Sequence, residues 1–165
     1  MVTFSIRMAG EQAIDSTLDR LTERAQNLTP IWPEVKTRLH EIISDAFEHE
    51  GGSTAAGRWA PLSAKYAVWK ARNFPGKPIL ERTGRLRASI TGGPEETVVM
   101  APHRLLLQSQ VPYGGFHQMG TAVMPRRAPI GLTSEQGRQI VFIISRWMRK
   151  DLFKGLRPGE ERIFS

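Results

Sequence analysis

Between Pro33 and the pair Gly51 and Gly52, the apolar residues Val35, Leu39, Ile42, Ala46 and Phe47 fall on one face at helical spacing, with Glu34, Lys36, Arg38, Glu41 and Asp45 between them. Such a stripe belongs to an α-helix that persists only where another element covers it. Proline is tolerated in a first helical turn and glycine readily supplies a left-handed stop. The pattern therefore predicts a helix that starts between Pro30 and Pro33 and runs to about Glu50. Upstream, Ile14, Leu18, Leu21, Ala25 and Leu28 repeat the spacing from Glu11 onward and predict a second amphipathic helix. Near the other end, Thr133 with Gln136 three residues later is a capping box. It predicts a long helix from about Ser134 to Phe153 that buries Ile140, Ile144, Trp147 and Phe153.

Strand signals are sparser. Val2, Phe4 and Ile6 alternate with Thr3, Ser5 and Arg7, which predicts a first strand ended by Gly10. Glu96 to Met100 and Leu105 to Val111 are two β-rich runs separated by Pro102, and they read as an antiparallel pair. Ser63 caps a short helix through Arg72, and Thr83 to Ser89 predicts another, with Thr83 capping and Gly84 either at positive φ or close to another backbone. Trp59, Tyr66 and Trp69 are expected to fill a core, as large aromatics near short helices do. The combined expectation is an α+β fold: a small antiparallel sheet, two N-terminal helices and a long C-terminal helix. A single domain is expected over residues 1–153, with flexible loops near 51–58 and 113–131, followed by a tail, 154–165, that has neither period.

Charge is distributed unevenly. Residues 1–60 carry 6 basic and 9 acidic side chains and residues 61–165 carry 17 and 7, so the net +7 comes entirely from the second part. A surplus of this kind steers toward nucleic acid, an acidic protein or an anionic surface without choosing among them. The absence of cysteine excludes a disulfide scaffold, a Cys-ligated zinc site and thiol catalysis. The start lacks the basic and long apolar regions of an export signal, and the apolar stretch from Ile140 to Ile144 is too short to span a bilayer. A soluble chain without a membrane partner is therefore expected.

Motifs for chemistry are weak. Gly52, Gly57 and Arg58 space like a phosphate-binding loop, but Trp59 follows where Ser or Thr would hold magnesium, and a helix precedes where a strand should. His40, His49, His103 and His117 form no i, i+4 pair, so no metal or cofactor is expected. His117 lies in a loop beside Tyr113, Gln118 and Gly120, yet no serine occupies a nucleophile-elbow pattern, and a hydrolase built on it lacks its partner. The N-terminal carboxylates are interleaved with Arg20, Arg24, Lys36 and Arg38 as on a solvated helical surface. A basic face could form from Arg85, Arg87, Arg138, Arg146, Arg149 and Lys150, joined by Arg82, Arg126 and Arg127. Phosphate binding needs little more than that, although no helix-turn-helix, RNP-like strand or zinc finger offers sequence-specific readout.

Six pieces in one order resemble a known family: Gly57, Trp59, Pro61 and Leu62; Tyr66 and Lys70; Ile79 and Leu80; Thr83, Gly84, Leu86, Ser89 and Ile90; Tyr113, His117, Gln118 and Gly120; and Pro125, Arg126, Arg127 and Gly131. Over roughly residues 35–153 the chain resembles the phage virion morphogenesis family, the Mu-like tail completion or head–tail joining proteins. Gly114 and Gly115 stand where that family more often has small non-glycine residues. The resemblance implies a non-enzymatic structural protein acting late in particle assembly, as a ring of copies, hexameric by preference, at the tail end or neck. Its implied partners are other tail or neck proteins, with packaged DNA as an added contact. Its implied location is the host cytoplasm during assembly and then the virion. Tyr113, Phe116, His117, Gln118, Arg126 and Arg127 are the expected interface, being residue types enriched at interface cores or suited to bidentate contacts. The alternative is a basic nucleic-acid-binding protein without sequence-specific readout.

Overall fold

The computed structural model describes residues 11–150. The strand expected at Val2 to Ile6, the burial of Phe153 and the tail 154–165 lie outside the described residues. The chain folds as an α+β structure of six helices and a two-stranded antiparallel sheet among those residues: α1 (Glu11–Gln26), a 3-10 turn (Thr29–Ile31), α2 (Trp32–Glu48), α3 (Ala64–Asn73), α4 (Arg85–Ala88), β1 (Glu96–Ala101), β2 (Arg104–Ser109), α5 (Gly114–Met119) and α6 (Ser134–Arg149).

Helix α2 is the spine, because its two halves enter two different cores. Trp32 and Val35 near its start join Ile31, and Leu28, Met100, Leu105, Ile140, Ile144 and Trp147 pack around them. Ile43 and Phe47 near its end join Trp59, Leu86, Ile90 and Val111, with Ile79 and Leu80 against them. Thus the stripe read from the sequence is covered along its length by α6 and the hairpin at one end and by α4 and the Trp59 loop at the other.

A lone two-stranded hairpin is marginal in water, and this one is held at both ends. Its register pairs Glu96 with Ser109 and Ala101 with Arg104. At the turn, the Trp32 indole N–H donates to the Ala101 carbonyl at 2.7 Å, and the Leu28 N–H donates to the Pro102 carbonyl at 2.8 Å. At the open end, His40 Nε2 meets Glu96 Oε1 at 2.7 Å.

Helix α6 starts with the expected capping box: Thr133 Oγ1 accepts from Gln136 N–H, and Gln136 Oε1 accepts from Thr133 N–H. It stops at Arg149, short of Phe153, because Lys150 is already extended. Arg24 of α1 collects carbonyls there, donating to those of Trp147, Met148 and Lys150, while its guanidinium lies 5.4 Å from the Trp147 ring centroid. A cation placed on terminal carbonyls offsets the negative end of the helix dipole. The stripe expected for α1 is used mainly past the helix end: Leu28, two residues beyond Gln26, is packed, whereas Ile14 and Leu18 are exposed.

The stop of α2 differs in detail from the glycine pair expected. Glu50 (φ +48) and Gly51 (φ +86) take the left-handed conformations, and Gly52 does not. The Gly51 N–H reaches back to the Ala46 carbonyl at 2.7 Å, as in a Schellman closure. Glu50 is held in this conformation on two sides. Its carbonyl accepts from Trp59 N–H, and its carboxylate accepts from Ile79 N–H. Gly51 is needed for space as well as φ, since a Cβ there would lie 2.5 Å from the Trp59 ring.

Gly84 has φ +74, as one of its two expected readings required, but nothing lies within 4 Å of where its Cβ would be. The two glycines therefore forecast different costs. Gly51→Ala is expected to destabilise by about 2 to 4 kcal/mol, from overpacking plus a disfavoured backbone. Gly84→Ala carries the backbone term alone, about 1 to 2 kcal/mol. Urea midpoints of the two variants check the order, and equal losses would contradict it.

Candidate functional site

The stretch from Val111 to Gly131 holds all six residues expected at an interface, and its shape follows from a few anchors. Val111 is buried in the core with Leu86. Gly114 then opens α5, where a Cβ would come within 3.3 Å of Leu86 Cδ1; the small residue lets the helix start against the core. A segment expected to be irregular thus contains a six-residue helix. Gly120 (φ +77) reverses the chain, with Arg126 N 3.0 Å from its would-be Cβ.

The returning segment is bolted from behind. Arg127 N–H donates to the His117 carbonyl at 2.9 Å. The Arg127 side chain is 6% exposed; its Nε donates to the Ala60 carbonyl at 2.7 Å and its Nη2 to that of Pro61 at 2.8 Å. Next door, the Ala128 carbonyl accepts from the Trp59 indole N–H at 2.9 Å. Gln118 closes the far end, its Nε2 donating to Ile130 O at 2.7 Å and its Oε1 accepting from Ile130 N–H at 3.2 Å. Two expected contact residues, Arg127 and Gln118, are therefore spent on internal hydrogen bonds. Arg126 remains exposed, with Nε on the Gln118 carbonyl.

The 51–58 loop, expected to be flexible, is tied into this arrangement. Ala55 N–H donates to the Gly131 carbonyl, Thr54 N–H and Gly57 N–H close successive turns, and the Gln136 side chain of the capping box donates to the Ser53 carbonyl at 3.0 Å.

Beside Arg126, large apolar side chains also face outward. Phe116 is 58% exposed, Met119 80% and Val123 96%. Beside them a groove of about 440 Å³ runs between α3, α4 and the start of α5, lined by Tyr66, Lys70, Leu80, Arg82, Arg85, Tyr113, His117 and Arg127 among others. Tyr113 and His117 meet edge to face at 6.0 Å. His117 Nδ1 is buried without a hydrogen-bond partner, and burial together with the nearby Arg127 charge lowers the imidazole pKa, which keeps the ring neutral at pH 7. Lys70 places its ammonium on the Pro78 carbonyl; burial lowers its pKa, and Glu50 and Glu81 work against that shift.

Three groove residues, Tyr66, Lys70 and Leu80, were not singled out as site residues from the sequence. Of the aromatics expected in the core, Trp59 is there, but Tyr66 and Trp69 are exposed. The cause is that α3 turns Lys70 inward, toward the 74–80 turn, and leaves its aromatic side in solvent. There Tyr66 stacks on Trp69 at 5.4 Å and Trp69 tilts onto Phe74 at 5.7 Å.

The candidate basic residues divide between α4 and α6, and most carry a carboxylate. Arg85 is bidentate to Glu95, which holds the Glu95 carboxyl below its ordinary range. Arg87 bridges Glu48 at 2.7 Å and Glu81 at 3.0 Å. Arg138 pairs with Glu135 at 2.6 Å and Arg146 with Glu34. Arg149 donates to the Ser145 carbonyl, and Lys150 caps α6. Among the described residues, no three His, Asp or Glu side chains come together as a metal site would require.

The family model of the phage virion morphogenesis family matches residues 9–149. No curated protein and no solved structure matches the chain.

The two neighbouring arginines give a direct test of this geometry. Arg127→Ala leaves the Ala60 and Pro61 carbonyls without their donor and is expected to cost about 2 to 4 kcal/mol. Arg126→Ala, at the surface, should stay within about 0.5 kcal/mol of wild type. Thermal or urea melts of both variants check it; a neutral Arg127→Ala would contradict the internal role.

Proposed function

The chain belongs to the phage virion morphogenesis family, so its role is structural and lies in phage particle assembly; from that premise we propose that it completes the tail or joins tail to head through protein contacts. It acts in a ring of copies, hexameric by preference, bound to tail or neck proteins, without enzymatic activity. It assembles in the host cytoplasm and stays in the virion.

The observation that supports this reading best is the exposed apolar cluster of Phe116 and Met119 on α5, continued by Val123. Its backing is fixed by Arg127, Trp59 and Gln118 through four side-chain hydrogen bonds to neighbouring backbone carbonyls. Exposed apolar side chains on a pre-ordered support suit association, since little ordering entropy remains to be lost on docking. Arg126 and Tyr113 border the cluster and supply the polar and aromatic types found at protein interfaces.

Binding to nucleic acid through a basic face draws less support. Arg85, Arg87, Arg138 and Arg146 each sit on a carboxylate, so displacing counterions from phosphates would require breaking those pairs first.

Electron micrographs of particles made without this protein are expected to show full heads and separate tails, and normally joined particles would contradict the proposal. A finer test is the double variant Phe116→Asp, Met119→Asp. Both side chains are exposed, so its melt should lie within about 1 kcal/mol of wild type while joined particles disappear. Normal yields of infectious particles from that folded variant would overturn the assignment of this surface.

A further inference from the structure

The groove beside α5 shares Tyr113 and Val123 with the proposed ring contact but carries a charge that this contact does not use. Its lining includes four cationic side chains, Lys70, Arg82, Arg85 and Arg127, and no carboxylate. Two of the four are balanced from outside it: Arg85 by Glu95, and Lys70 by the nearby Glu50 and Glu81 charges. The other two are not. Arg127 spends its Nε and Nη2 on neutral carbonyls. Arg82 is exposed, and its guanidinium lies 5.7 Å from the Phe74 ring centroid, with no ion pair to a carboxylate among the described residues. His117 adds a buried Nδ1 that lacks a partner and no positive charge of its own.

The rest of the wall is mainly apolar, with Leu62, Leu80, Leu86 and Met124 beside the two hydroxyl residues Ser63 and Thr83. Leu80 is held there at φ +64, outside the ordinary range of an L-residue. A space of about 440 Å³ takes a few side chains, within the range of a pocket and far from the footprint of a duplex. Phosphates would gain from Arg82 but nothing from the leucines and Met124. A carboxylate next to an apolar side chain uses both.

We propose that this groove is a docking site for an acidic segment of a neighbouring virion protein, in which an Asp or Glu meets Arg82 and an adjacent aromatic or aliphatic side chain enters between Leu80, Leu86 and Tyr113. The inference rests on the assembly reading above and names the chemistry of one partner. The contact is a charged rim over an apolar floor, so it sets specificity through Arg82 and excludes segments that bring a second positive charge to Arg127.

The test is selection of a displayed random dodecapeptide library on the purified full-length chain, followed by fluorescence anisotropy with the enriched peptides. Enriched sequences are expected to place Asp or Glu beside an aromatic or aliphatic residue. They should bind wild type and Arg82→Lys alike, lose at least tenfold in affinity with Arg82→Glu, and weaken when sodium chloride is raised from 0.05 to 0.5 M, which shortens the Debye length from above about 10 Å to well below it. Arg82 is exposed, and an unchanged melt of Arg82→Glu confirms that the variant is folded. No enrichment, enriched peptides without a carboxylate, or binding indifferent to Arg82→Glu would overturn the proposal. So would a 20-base-pair DNA duplex that binds in an Arg82-dependent way and displaces the peptide. If peptides fail while Phe116→Asp, Met119→Asp still abolishes joined particles, the groove inference fails alone; if peptides bind as expected and that variant assembles normally, the ring contact fails instead.

Discussion

The Trp59 indole is the point on which the rest of the structure turns. Its ring lies edge-on to Phe47 at 5.4 Å and 81°, presses on the backbone of Gly51 where no Cβ fits, and directs its N–H to the Ala128 carbonyl. One buried side chain thus joins the end of α2, the loop after it and a segment nearly seventy residues later. A buried indole N–H without an acceptor is costly, so core packing and the position of the Ala128 segment are linked. Where Trp59 sits in the core, residues 127–131 must follow.

That linkage explains why an apolar surface can be displayed without collapsing inward. Helix α5 and the turn after it are too short to fold alone. They borrow their order from Arg127 on Ala60 and Pro61 and from Gln118 on Ile130. Phe116, Met119 and Val123 consequently face solvent from a fixed support. The groove behind Tyr113 arises from the same geometry, since Arg127, pulled inward by its carbonyl partners, forms one wall and α4 with Arg82 forms another.

Long-period features were legible in the sequence, and short-range polar closures were not. The stripe of α2, the Thr133–Gln136 capping box and an antiparallel pair read at 96–100 and 105–111, found at 96–101 and 104–109, follow from patterns that local physics enforces. The left-handed Gly84, which precedes a helix carrying Leu86 into the core, was one of two readings open at that position. Tyr66 and Trp69 misled because a helix of ten residues can bury a lysine stem instead of its aromatics when a carbonyl, here that of Pro78, awaits the ammonium. Arg127 misled for a related reason. Arg126 and Arg127 are indistinguishable as letters, and only the tertiary position of the Ala60 and Pro61 carbonyls decides which one turns inward. Of the ion pairs that divide the basic surplus, Arg146 with Glu34 joins residues more than a hundred positions apart and leaves no local trace, whereas Arg138 with Glu135 lies within one helical turn.

The central claim is that residues 113–131 form an integral part of the fold, held by the Trp59 and Arg127 hydrogen bonds, and present one side for assembly. Native-state amide hydrogen exchange tests it most directly, because it reads the free energy of opening residue by residue. The amides of Trp59, Arg127 and Ile130, each bonded within the clasp, are expected to exchange only with the global unfolding that releases the core of α2. Exchange of Arg127 and Ile130 through a local opening orders of magnitude more frequent, while α2 stays protected, would contradict the claim.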